Sequence, residues 1–197
     1  MTIRHLVLSL VLGAAPAFAS AADTIPLTVS QELVKLYTED QADRDGPPNA
    51  QRDWNAISLR DEQRELRVKE LLAAGPLGSG EAYYHAAMVL QHALEPDDAL
   101  LAHDLCVIAI SKGEPKAKWL AAASMDRFLV RIGRPQRFGT QSQSHFNRPP
   151  RLVPVDPSVS DILRRELDVP TLEEARQKEA DMVKFHEKVL AEKAKLQ

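Results

Sequence analysis

The chain has 197 residues, 44% of them hydrophobic and 27% charged, with a formal net charge of −3 at pH 7. That length suits one domain with a proper core, and the mild acidity argues against a nucleic-acid partner, which demands a basic face. Cys106 is the single cysteine, so an intrachain disulfide and a bridge-held miniature scaffold are excluded.

The N-terminus reads as an export signal. Arg4 and His5 form a short positive region, and residues 6–15 are apolar apart from Ser9 and Gly13. Pro16 ends that run before Ala17-Phe18-Ala19, whose small first and third residues fit a signal-peptidase site. The run falls short of the roughly 20 residues a membrane span requires. The expectation is a cleaved signal over 1–19, a mature chain starting near Ser20, and a periplasmic or secreted location. Loss of Arg4 would shift the formal net charge from −3 to −4. No later apolar stretch is long enough to span, so no membrane span is expected in the mature chain.

Residues 20–29 lead into a helical domain over 30–190, with a fraying tail at 191–197. Ser30 is placed to cap a helix whose apolar face carries Leu33, Val34, Leu36 and Tyr37. Gly46-Pro47-Pro48 interrupts it. Ser58 and Asp61 have capping-box spacing and are expected to open a second helix, stopped by Gly75-Pro76. Its densely charged middle, 60–70, reads as a solvated face with ion pairs between neighbouring turns.

The central block is the most apolar. Residues 82–94 predict a helix that ends at Pro96, and Asp97-Asp98 opens the next at the positive end of its dipole. Residues 100–110 are apolar on nearly every face, which predicts a central position and a buried, inert Cys106. Gly113 closes this helix. Glu114-Pro115 begins another, which carries Trp119, Leu120, Ala123, Phe128 and Leu129 and ends at Gly133. Three antiparallel helices rich in alanine are expected, with no fixed repeat period. Residues 133–157 lose periodicity and predict a long polar loop with one short strand near Phe138. A short helix over 158–167 and a capping box at Thr171 and Glu174 lead into the final helix. The fold class expected is all-α.

Motifs of metal and nucleophile chemistry are absent from the sequence. There is no His-Glu-x-x-His, no paired Cys, no Gly-x-Ser-x-Gly and no phosphate-binding glycine loop. No metal and no cofactor is expected. His85 and His92 share a face of one expected helix, but two turns separate them by roughly 10 Å, too far to chelate one ion unless His103 of the neighbouring helix joins one of them. The strongest polar feature is Asp126-Arg127 followed by Gly133-Arg134-Pro135-Gln136-Arg137-Phe138-Gly139-Thr140-Gln141. A charge in so apolar a helix must be paired when buried. The loop's amides either tie down helix ends or bind a polar ligand.

The pairs Gln91-His92 and Asp126-Arg127, the pattern Gly133-x-x-Gln136-x-x-Gly139-Thr140-Gln141, and Asp40-Gln41-Ala42-Asp43-Arg44 resemble an uncharacterised bacterial domain-of-unknown-function family with a Gln-His helix, an Asp-Arg helix and a Gly-Thr-Gln motif. The resemblance spans roughly residues 35–180, through Val159-Ser160-Asp161, Arg164 and Val169-Pro170-Thr171-Leu172. Phe138 stands where the family pattern carries Tyr. The resemblance implies that the matched positions act as one constellation and implies no activity.

Three functions compete. The first is a binding module for a small polar ligand or a protein partner, with Gln41, Arg44, Arg127, Gln136, Thr140 and Gln141 as binding residues. The second is a hydrolase-like enzyme with His92 as acid/base, Asp126 orienting it, and Arg127 holding an anionic or polar substrate. The third is a structural latch in which these residues tie the long loop to the helices. A His92–Asp126 contact in an open pocket supports the enzyme, and a buried, self-satisfied cluster supports the latch.

Overall fold

A computed structural model describes residues 27–47, 50–145 and 148–195. The expected signal at 1–19 and residues 20–26 lie outside the described residues. The fold is mainly helical: α1 (Val29–Arg44), α2 (Trp54–Ala74), α3 (Gly80–Leu90), α4 (Pro96–Ser111), α5 (Ala117–Arg131), α6 (Asp161–Glu166) and α7 (Leu172–Lys195). One antiparallel hairpin, β1 (Ser142–His145) and β2 (Arg148–Leu152), lies between α5 and α6.

Helices α3, α4 and α5 pack in sequence order, and the short connections 91–95 and 112–116 force successive helices to run antiparallel. Buried alanines, among them Ala86, Ala102, Ala109, Ala121 and Ala122, let these helices approach closely. Helix α1 lies against α3, and α2 closes over both. Leu33, Leu36, Val68, Leu90, Leu105, Cys106 and Leu120 fill the shared interior. A second apolar cluster joins Ala122 of α5 to Phe138, Val159 and Val169. The ring at the Phe138 position therefore serves as core, and a hydroxyl is not needed for that packing.

Several boundaries differ from expectation. Thr28 caps α1 in a box with Gln31, two residues before Ser30. Asp53 opens α2 by accepting from Ala56 N at 3.0 Å. Ser58 thus falls inside the helix, and Asp61 is taken by arginines instead of by a cap. Helix α3 stops at Leu90, and His92 N→Val89 O and Ala93 N→Leu90 O bonds tighten the chain into a turn. His92 is therefore outside the helix that holds His85. Helix α4 is central, as its composition predicts, yet it leaves Val107 and Ile108 exposed on one stripe. The strand expected near Phe138 begins instead at Ser142, and Phe138 belongs to a turn that Gly139 makes with φ +82°. Thr171 and Glu174 do form the expected box at the start of α7.

The expected solvated face of α2 is also a clasp. Arg64 is buried and bridges Asp43 of α1 at 2.8 Å and Asp61 at 2.6 Å. Arg44 of α1 reaches Asp61 at 2.6 Å and Asp40 at 2.9 Å. Arg60 adds a 2.7 Å contact to Asp43. An alternating row of charges therefore joins the two helices.

Candidate functional site

The tertiary structure gathers most of the candidate residues into two groups. Asp126, Gln136, Thr140 and Gln141 form the first, at the junction of α5 and the loop that follows it. The Asp126 side is fixed by α5, and its carboxylate is fully buried. Oδ1 accepts from Arg137 N at 2.7 Å and Phe138 N at 2.9 Å. Oδ2 accepts from Thr140 N at 3.0 Å and Thr140 Oγ1 at 2.8 Å. A carboxylate meeting this many donors is satisfied without a cation.

Gln136 completes the arrangement. Its side chain is 0% exposed and bonds three ways: Nε2 donates to Gln141 O and Val153 O, both at 2.8 Å, and Oε1 accepts from Gln141 N at 2.7 Å. It thereby closes the base of the β1–β2 hairpin. Gln141 Nε2 donates to Ala123 O at 3.2 Å and Thr140 Oγ1 at 3.0 Å. Arg164 of α6 is 1% exposed and donates to the carbonyls of Phe138, Val159 and Arg137 and to Asp161. The sequence placed Arg164 only within the family pattern. Its signal was a basic residue four positions after a capping serine, which by itself also describes an ordinary helix end.

Gln41, Arg44 and His92 form the second group, at the end of the bundle where α1 and α3 finish, and Arg127 of α5 belongs to neither group. The carboxylate beside His92 is Asp40, which lies 3.5 Å from Nε2; the orienting role expected of Asp126 is not available, because its oxygens face the loop amides. Asp40 is fully buried and accepts from Gln41 Nε2 at 2.7 Å and Arg44 Nη1 at 2.9 Å. The 3.5 Å approach leaves His92 Nε2 with no hydrogen bond among the described residues, although the atom is buried. An open cavity of about 440 Å³ lies against the last turn of α1, lined by Thr38, Gln41, Ala42, Arg44 and Asp45.

Gln91 precedes His92 and faces the other way, toward α5. Its Oε1 accepts a 3.3 Å bond from Arg127 Nη1. Burial, together with the like charge of Arg131, draws the Arg127 pKa down to about 10. Asp40 and Gln91 were visible in the sequence only as neighbours of chosen residues, since their partners lie on other helices.

His85 and His103 are placed separately. His85 stacks on Tyr37 at 4.4 Å between ring centroids, and burial lowers its pKa. His103 Nδ1 lies 2.9 Å from Ala121 O. Among the described residues no three His, Cys, Asp or Glu side chains converge as metal ligands. No described helix is long and apolar enough to cross a membrane. A further cavity of about 440 Å³ runs between Trp119, the Gly139-Thr140 turn, Leu152 and α7 residues Lys178 and Met182. No family model, curated protein or solved structure matches the chain.

Proposed function

We propose that the protein is an exported module that binds a small polar ligand at the end of the bundle where the last turn of α1 and the turn after α3 place Gln41, Arg44 and His92. The observation that carries this reading is His92: a buried ring nitrogen with no hydrogen-bond partner, beside the shielded carboxylate of Asp40, whose own partners Gln41 and Arg44 line an open cavity. Buried polar atoms are satisfied as a rule, and one left without a partner points to a group supplied from outside. The Asp126–Gln141 constellation has the opposite character. Its buried carboxylate and the buried Gln136 amide are met within the fold, so its role is that of a latch holding the hairpin and α6 against α5. Placement in the Gly-x-x-Gln-x-x-Gly-Thr-Gln family belongs to the same proposal and rests on the motif.

Small-molecule screening of the purified protein beside His92→Ala and Gln141→Ala tests the division of labour. His92→Ala should lose ligand while keeping its melting temperature within a few degrees. Gln141→Ala should melt lower and still bind. Equal ligand binding by His92→Ala and the parent chain sinks the reading.

The Asp40–His92 approach favours one second reading, a hydrolase-like enzyme in which His92 is the acid/base and Asp40, instead of Asp126, orients it. Turnover of any substrate in the same screen, abolished in both His92→Ala and Asp40→Asn, would establish it.

A further inference from the structure

A cavity of about 500 Å³ lies where the end of α5 meets the chain at 134–137 and 156–157, a volume that suits a small molecule. Its apolar walls are Met125 and Leu129, one turn apart on α5, with Pro135 and Pro157 from the two loop segments. Arg134 and Arg137 bring two positive charges to it, and Asp156 brings one negative charge. It shares no lining residue with the cavity beside Gln41 and Arg44. The backbone around it is fixed. Arg134 N donates to Leu129 O at 2.8 Å, Gln136 N to Pro154 O at 3.0 Å, and Asp156 N to Gln136 O at 2.8 Å. Arg137 N is held by Asp126 at 2.7 Å, and Arg137 O accepts from Arg164 at 3.1 Å. The cavity is therefore preformed, and a ligand entering it orders little chain.

Among the described residues, neither the Arg134 nor the Arg137 guanidinium takes part in an ion pair or donates a hydrogen bond. Arg137 rests against the Phe138 ring, 5.7 Å from its centroid. Asp156 Oδ1 accepts from Ser158 N at 2.9 Å. Hydrogen bonding to Ser158, ahead of the charges of Arg137 and Arg134, holds the Asp156 carboxyl below the usual aspartate range. The carboxylate therefore stays ionised at neutral pH and cancels one of the two positive charges, which leaves a single excess charge at the cavity. A single carboxylate head meets that excess, and the guanidinium fork matches its two oxygens. A dianionic head would be set against Asp156. The methionine, leucine and proline walls remove an apolar body from water. We propose that this cavity binds a small organic monoanion, an apolar body carrying one carboxylate, with Arg134 and Arg137 recognising the head. The site is separate from the His92 group and does not rest on it.

The test is calorimetric titration of the purified protein with benzoate and with octanoate, beside acetate, which has the head without the body, and benzamide, which has the body without the charge. All are compared at matched ionic strength, because salt screens exposed charges. Saturable binding of benzoate or octanoate is expected, roughly tenfold or more tighter than acetate and benzamide. Both arginines are exposed, so Arg134→Gln and Arg137→Gln should fold as the parent does. Each should weaken the bound anion several-fold, and the double variant should weaken it by roughly tenfold or more. Asp156→Asn gives the outcome that a merely structural role would not: it keeps an acceptor for Ser158 N, removes the opposing charge, and should tighten the anion several-fold. No saturable binding by either anion, benzamide equal to benzoate, or equal affinity in the parent and the double arginine variant overturns the proposal. Weaker binding in Asp156→Asn overturns it as well. Binding lost in His92→Ala and kept in the arginine variants would place the anion at the His92 group and not here.

Discussion

Asp126 illustrates how a single residue can organise a loop. Four donors from the loop converge on its two oxygens, so replacement by Asn turns one acceptor into a donor and sets it against backbone N–H groups that remain buried. Hydrogen bonds to a charged group contribute about 1.5–3 kcal/mol each, and they are partly shared, so Asp126→Asn should cost about 3 kcal/mol in urea unfolding at neutral pH. A loss below about 1 kcal/mol would show that the latch is not needed. Cys106 is a second case. Burial pushes its thiol up to about 12, so the reactive thiolate is scarce at pH 8. Iodoacetamide should leave the native protein unlabelled and modify it fully in denaturant. These two residues were readable from sequence for a common reason. An aspartate inside an apolar helix requires local donors, and a cysteine inside Leu105-Cys106-Val107-Ile108 has the surroundings of a core residue.

Elements were readable where their signals are short in range. Gly75, Gly113 and Gly133 all sit at positive φ just past helix ends, where an L side chain is strained. Errors arose where a distant partner decides. Asp61 has the spacing of a capping box, but two arginines claim it. Helix α3 ends before the proline that was expected to stop it, which places His92 in a turn facing α1 instead of on the helix with His85. The hairpin was masked by Pro149 and Pro150 in β2, residues that lack ladder donors and are tolerated because a two-stranded sheet has only edges. Gly80 shows a constraint that sequence cannot reveal. A Cβ there would lie 2.9 Å from Ala109 O and 3.0 Å from Glu114 Cβ, where α3 starts beside the end of α4. Although alanine is the better helix former, Gly80→Ala should lower stability by about 1–3 kcal/mol through overpacking. Chemical denaturation is the measurement, and a stabilised variant would contradict the packing seen here.

At the scale of the whole molecule, the α1–α2 clasp makes stability depend on acid. The hydrogen bond from Arg60, helped by Arg64, holds the Asp43 pKa down to about 2, below its ordinary 3.8. A depressed carboxyl pKa stabilises the fold above the unfolded-state value, and that contribution is lost as pH falls toward 2. Denaturant melts of the parent and Asp43→Asn should therefore differ most above pH 4 and converge toward pH 2; a constant difference across that range would remove the clasp from the account. Composition and periodicity were enough to determine the helical class, the order of the central helices, the buried cysteine and the polar character of the loop after α5, because each depends on near neighbours in the chain. The expected export signal is likewise a purely local pattern. Only the tertiary structure decided that most of the candidate residues form two groups and not one. Asp126, Gln136, Thr140 and Gln141 consume one another's hydrogen bonds, whereas His92 meets Asp40 and Arg127 meets Gln91 across helix interfaces. Such contacts depend on how three helices are rotated against each other, and that rotation is set by the packing of the whole core, which no local spacing encodes.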